Sequence, residues 1–288
     1  MSIGILVPHG KYFAADHLCR ALSATMYGMK DKELTTDHLI IIGMRALEKY
    51  SKLKDKSFKS VAVIFSDTNF CKHNKWCNDY VEKNDISVYA MPDLHDYLRV
   101  PYIPVYQTIT LPDIQIDKPN DRIVICHSPG KKGYFNIKGT EQIDYVIKKL
   151  GKKYPIEYKV LKNESWGDCI KEKSRAHIFI DQLVKDNPYI DQIRFGGKII
   201  YKGALGKSGI EAMMLKCCTV TTMDKPITEP YFPFPPVILT NYLEFKYDIE
   251  RIITDGEHKR THIEQQKEWV DKYCSPEFVS LHVTRHIE

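Results

Sequence analysis

Residues 122–150 read RIVICHSPGKKGYFNIKGTEQIDYVIKKL, and this stretch decides the fold. Positions 122–127 form a short, mostly apolar and β-branched run, which is a strand pattern. Positions 139–152 have the length and spacing of a helix. The loop between them holds Gly130, Lys131, Lys132, Gly133 and Lys138, with Gly139 at the helix entrance. Strand, glycine-rich turn and helix in that order begin a βαβ unit, and its repetition gives a parallel sheet flanked by helices. Glycines allow close backbone approach, the helix N-terminus favours negative charge, and ammonium groups add to it, so the loop suits a diphosphate. A solvated basic turn is the reading that composition alone leaves beside it.

The unit recurs on both sides. Upstream, strands are predicted at 3–8, 38–43, 61–65 and 87–91, with a fifth at 102–106. Helices alternate with them: Ala14, Leu18, Ala21, Leu22 and Met26 share helical spacing, and 44–55 and 70–82 follow. Downstream come strands 156–161, 177–180 and 217–222 and helices 168–173, 208–216, 241–254 and 258–273. Residues 108–121, TITLPDIQIDKPND, contain two prolines and acidic residues with no helical period, which predicts a linker with its boundary near Lys118. Two α/β domains are therefore expected, 1–118 and 119–288.

The 288 residues are 43% hydrophobic and 27% charged, which excludes disordered, collagenous and disulfide-stapled classes. Lys and Arg number 42 against 37 Asp and Glu, a net charge of +5 that suits a solvated basic surface or a phosphate-bearing ligand. No stretch approaches the roughly 18 apolar residues of a membrane span, so no stable membrane insertion is expected. The eight cysteines are scattered, which reads as reduced and buried thiols in a cytoplasmic protein. Cys71, His73 and Cys77 lack a second ligand pair at zinc-finger spacing, and no metal site is predicted.

A second glycine-rich turn, Gly203-Ala-Leu-Gly206-Lys207-Ser208-Gly209-Ile-Glu211, enters the helix at 208. Its Gly-Lys-Ser is not a nucleoside-triphosphate P-loop, because position 201 is Tyr where that motif needs Gly. What remains is a helix N-terminus able to hold phosphate or sugar hydroxyls, with Glu211 near its first turn. In open α/β sheets ligands sit beyond the carboxyl ends of the strands. That rule selects Asp67 after the third strand as a candidate base and His9 after the first as a base or phosphate contact; helix capping and loop packing are their structural alternatives. Asp93, His95 and Asp181 follow other strands, and Tyr231, Phe232 and Phe234 lie among prolines, where they stack on a base or, the favoured reading, pack an inter-domain crossing.

HSPGKKGYFNIKGTEQ (127–142), AHIFIDQL (176–183) and GALGKSGIEAMMLKCCTVTT (203–222) resemble, in order, the donor-site motifs of the C-terminal half of GT-B glycosyltransferases, a group that includes glycosyltransferase family 4. The resemblance implies two Rossmann-like domains whose parallel sheets face a central cleft, and a sugar-nucleotide donor, such as a UDP-sugar, bound without a catalytic metal or other cofactor. It implies that Lys131 or Lys132 and Lys138 hold the diphosphate, that Gly139, Gly203, Gly206, Lys207 and Ser208 belong to the donor site, that the loop after Leu161 flanks the base, and that Glu211 accepts from the ribose hydroxyls. Gly203 stands where many members carry a second Glu. SVAVIFSDTNF (60–70) is similar to the strand and catalytic aspartate of phage DNA β-glucosyltransferases, which implies Asp67 as base, a hydroxymethylated cytosine in DNA as acceptor, and the host cytoplasm as location if the chain is phage-encoded. A glycan or lipid-linked acceptor, a non-catalytic nucleotide-sugar or nucleic-acid binding module, and a phosphorylase or epimerase of the same fold are the other readings.

Overall fold

Leu39-Ile40-Ile41-Ile42 buries every side chain, as only a strand covered on both faces does. In the computed structural model, residues 2–8, 13–31, 33–53, 57–65, 69–106, 108–129, 138–188, 194–195, 198–199, 203–223 and 231–285 are described. The elements run β1 (Ile3–Leu6), α1 (Phe13–Leu22), β2 (Thr25–Tyr27), β3 (His38–Ile42), α2 (Met44–Ser51), β4 (Ser60–Phe65), α3 (Asn69–Lys83), β5 (Ser87–Ala90) and β6 (Ile103–Pro104). They continue with β7 (Ile123–His127), α4 (Thr140–Leu150), β8 (Ile156–Val160), α5 (Trp166–Arg175), β9 (Ile178–Ile180), β10 (Arg194–Phe195), β11 (Lys198–Ile199), α6 (Lys207–Met214), β12 (Cys218–Thr221), β13 (Ile238–Leu239), α7 (Phe245–Thr254), α8 (Gly256–Tyr273) and α9 (Pro276–Thr284).

The chain divides into two units. Unit 1 is Met1–Thr110 with Pro226–Phe234 and Tyr273–Glu288; unit 2 is Leu111–Lys225 with Pro235–Lys272. Unit 1 carries a six-stranded sheet in the order β2-β1-β3-β4-β5-β6, and unit 2 a five-stranded sheet in the order β13-β12-β9-β7-β8. Every pairing in both sheets is parallel. The predicted alternation of strand and helix is thus realised twice. Among the described residues no helix is long and apolar enough to cross a membrane.

Three features depart from the sequence pattern. Met26 belongs to a strand, not to the first helix: Ser23 turns left-handed at φ 50°, the Ala24 N–H donates back to the Cys19 carbonyl at 2.9 Å, and β2 then pairs with β1. Leu111, Ile114 and Ile116 of the predicted linker pack on the core around β7 and α6, so the division falls at 110/111, ahead of Lys118. The last segment of the expected 119–288 domain lies in unit 1 instead. There Val279 and Val283 of α9 are buried beside Ile5, Leu18 and Tyr89, and the Tyr89 hydroxyl donates to the Val283 carbonyl at 2.9 Å. Each fully buried valine contributes about 1.5–3 kcal/mol to holding α9 there.

Candidate functional site

In unit 2 the carboxyl ends of β7 and β9 meet the starts of α4 and α6. β7 ends in His127, which is fully buried. Its Nδ1 lies 2.8 Å from the Ile180 carbonyl, which can only accept, so Nδ1 carries the proton and Nε2 accepts from the Thr140 hydroxyl at 2.9 Å. Burial pushes this imidazole down to about 4. A neutral ring therefore pins β7, β9 and the first turn of α4 together. Gly139 caps α4 with φ 72°, and a Cβ there would sit 2.3 Å from the Leu183 carbonyl oxygen, so only glycine brings the loop this close.

Asp181 follows β9 and is completely buried. Its Oδ1 accepts from Lys138 Nζ at 2.7 Å and its Oδ2 from the Gly206 N–H at 2.9 Å. Burial alone would raise this carboxyl, but the Lys138 charge and hydrogen bond and the Gly206 N–H outweigh it and hold it below the ordinary carboxylate range. Gln182 and Thr221 both donate to the Ala204 carbonyl, so Asp181-Gln182 clamps the 203–206 turn from beneath. Gly203, at φ 99°, packs so tightly that a Cβ would lie 1.8 Å from the Thr222 carbonyl oxygen. The result is a fixed N-terminus of α6, with no side-chain cap at Gly206 and first-turn N–H groups of the kind that bind anions.

Just inside α6, Glu211 is 3% exposed and Lys173, from α5, is 1% exposed. Lys173 Nζ donates to Glu211 Oε2 at 2.6 Å, Ser208 Oγ at 2.7 Å and the Ser208 carbonyl at 3.2 Å, which uses all three ammonium hydrogens. Glu211 Oε1 accepts from Trp166 Nε1 at 2.8 Å, and Lys207 Nζ is 3.7 Å away. Beside α5, the end of β8 borders a pocket of about 380 Å³ lined by Lys159, Leu161, Glu164 and Asp168. In unit 1, the carboxyl ends of β1 and β2 border a second pocket of about 640 Å³, lined by Val7, Pro8, Met26 and Met29 among others.

No family model and no curated protein matches the chain. Solved structures do. HepE from Anabaena, in complex with UDP and glucose, is 10% identical with a TM-score of 0.61 over 99% of both chains. An alpha-glucosyltransferase in complex with UDP-glucose and DNA containing an abasic site is 14% identical with a TM-score of 0.57, over 100% of this chain and 99% of that one. Sucrose-phosphate synthase from Thermosynechococcus elongatus is 10% identical with a TM-score of 0.62, over 99% of this chain and 98% of that one. The chain has the GT-B fold.

Within this GT-B chain, Lys138, Gly139, Gly203, Gly206, Lys207, Ser208 and Glu211 all lie around the loop ends and α6 just described. Lys131, Lys132, Asp67 and His9 lie outside the described residues, as do the side chains of Asp93 and His95. Phe232 is 4% exposed and packs against Tyr106, Tyr273 and Phe278 within unit 1. Lys173 and Trp166 also belong to this site, and neither carries a signal of it in the sequence. Lys173 sits in a run, Lys171-Glu-Lys-Ser-Arg175, that reads as a solvated helix face, and only its distant partners on α6 mark it.

Proposed function

We propose that the protein is a glycosyltransferase that moves a sugar from a nucleotide-sugar, a UDP-sugar, to an acceptor hydroxyl, with a hydroxymethylated cytosine in DNA as the leading acceptor. The observation that carries this is the pairing of Lys138 with Asp181 and of Lys173 with Glu211 about the uncapped start of α6. That arrangement supplies an N–H-lined helix start and the remaining Lys138 hydrogens for a diphosphate, beside a fixed carboxylate for hydroxyls.

In this reading the Asp181 bond occupies one hydrogen of the Lys138 ammonium and leaves two for phosphate oxygens. Lys131 and Lys132 add charge, and the N-termini at Gly139 and Ser208 receive the departing nucleoside diphosphate without a metal. Asp67, which follows β4 by two residues, takes the acceptor proton as the new C–O bond forms and the bond to the diphosphate breaks. His9 is the second candidate for that proton. A back-face attack assisted by Asp67 inverts the anomeric carbon, so an α-linked donor gives a β-linked product; an α-linked product removes Asp67 from this position in the mechanism. The protein acts in the cytoplasm, in keeping with reduced cysteines at Cys19, Cys126, Cys169, Cys217, Cys218 and Cys274.

Support for the donor comes from the UDP-containing neighbours HepE and the alpha-glucosyltransferase, and support for the acceptor from the DNA in the latter complex. A saccharide acceptor is the second reading, favoured by the likeness to sucrose-phosphate synthase. The test offers a panel of UDP- and GDP-sugars with hydroxymethylcytosine-containing duplex DNA, unmodified DNA, or simple glycans, and records free nucleoside diphosphate and product mass. Sugar on the modified DNA alone supports the leading acceptor. Release with glycans alone moves the protein to glycan synthesis, and absence of release with every acceptor rejects the transferase.

A further inference from the structure

Lys173 is the most deeply buried ammonium among the described residues, and its three hydrogens all go to protein groups, so it acts on a donor only through them. Placing a cation and an anion in the interior strips both of water, and the pair is repaid only by complete hydrogen bonding. Lys173 has that: its three hydrogens go to Glu211 Oε2, Ser208 Oγ and the Ser208 carbonyl. Its ammonium also stands 4.9 Å from the centroid of the Phe179 ring, which fixes it from the sheet side.

Two consequences follow for the groups on α6. An ammonium cannot accept, so Ser208 Oγ receives the Lys173 bond on a lone pair and keeps its own hydrogen for another acceptor. Glu211 is held at both oxygens, Oε2 by Lys173 and Oε1 by Trp166, so the carboxylate cannot rotate; each oxygen still has a second lone pair. A locked carboxylate with spare acceptor capacity is matched to a vicinal diol, and a locked hydroxyl one turn earlier is matched to an oxyanion.

We propose that Lys173 is a positioning residue that sets Glu211 and Ser208 for a ribonucleoside diphosphate, and that through it the protein selects ribo- over deoxyribonucleotide donors. The proposal rests on the donor reading given above. It predicts that hydroxyl-to-carboxylate hydrogen bonds separate UDP from 2′,3′-dideoxy-UDP by about ten- to hundredfold in affinity.

The experiment titrates both nucleotides into the full-length wild type, Lys173→Met and Lys173→Arg, with thermal unfolding to establish that each variant is folded. The expected result is a preference for UDP of at least about tenfold in wild type that falls by severalfold or more in both variants. Lys173→Arg keeps the charge, but its planar fork cannot serve the same three acceptors. A folded variant with the wild-type ratio overturns the proposal. So does an equal loss of affinity for both nucleotides, which marks Lys173 as structural only. Absence of UDP binding by the wild type is a different result, and it overturns the donor reading itself.

Discussion

Substituting Asp181→Asn removes a charge that Lys138 faces at 2.7 Å inside the clamp of the 203–206 turn. The asparagine oxygen can still accept from the Gly206 N–H, so the backbone bond survives and the ion pair does not. Breaking a buried pair from one side costs about 3–5 kcal/mol. Lys138 is 21% exposed, however, and can turn its ammonium toward water, and the new amide oxygen keeps a neutral hydrogen bond. The expected loss is therefore about 2 kcal/mol, below the fully buried figure. At about 2–4 °C per kcal/mol for a protein of this size, Tm falls by about 4–8 °C. The folded Asp181 carboxyl is depressed, so its contribution is complete above the unfolded value near 3.8 and is lost only as pH falls through the lower folded value. Measurements at pH 7 thus see all of it. The assay is calorimetric unfolding of wild type, Asp181→Asn, Lys138→Met and the double variant. A coupling energy of about 1–2 kcal/mol is expected. Losses that add within about 0.5 kcal/mol would refute the clamp, because they would mean the two side chains do not act on each other.

Gly203→Ala forces a Cβ to 1.8 Å from the Thr222 carbonyl oxygen at φ 99°, so Tm or soluble yield should collapse, while a neutral outcome in thermal unfolding would show that the turn can relax. His127 is depressed to about 4 from its ordinary 6.5, so it contributes about 3 kcal/mol above pH 6.5 that is lost progressively as pH falls to 4. His127→Gln should flatten that part of the stability curve, and parallel wild-type and variant curves between pH 6.5 and 4 would contradict the buried neutral ring. Asp67→Asn should abolish turnover with UDP affinity kept, as read by diphosphate release and calorimetry; wild-type turnover would return the proton to His9 or another group.

Much of the fold was legible because strand and helix periods are local. Leu39 to Ile42 and Ile123 to His127 announce buried strands, and Gly139 and Gly206 announce helix starts. Met26 was not legible: it continues the phase of Leu18 and Leu22, and only pairing of Ile5 with Met26 across the sheet makes it a strand residue. Nor was the destination of α9, since Val279 and Val283 show an apolar face without saying which unit it covers. At the site, the glycines and Lys138, Ser208 and Glu211 are marked by sequence position. Lys173 and the dual grip of Asp181 are not, because their partners lie 38 and 43 positions away in Glu211 and Lys138. Buried charge is a property of the assembled unit, and a helix lysine looks the same in sequence whether it faces water or a carboxylate.

The most direct test is calorimetric titration of the wild-type protein with UDP and with uridine. Donor binding about the α6 N-terminus predicts a single site at which UDP binds at least about tenfold more tightly than uridine, since the diphosphate meets charged donors. Equal affinity for the two, or no binding of any nucleoside diphosphate, would contradict it.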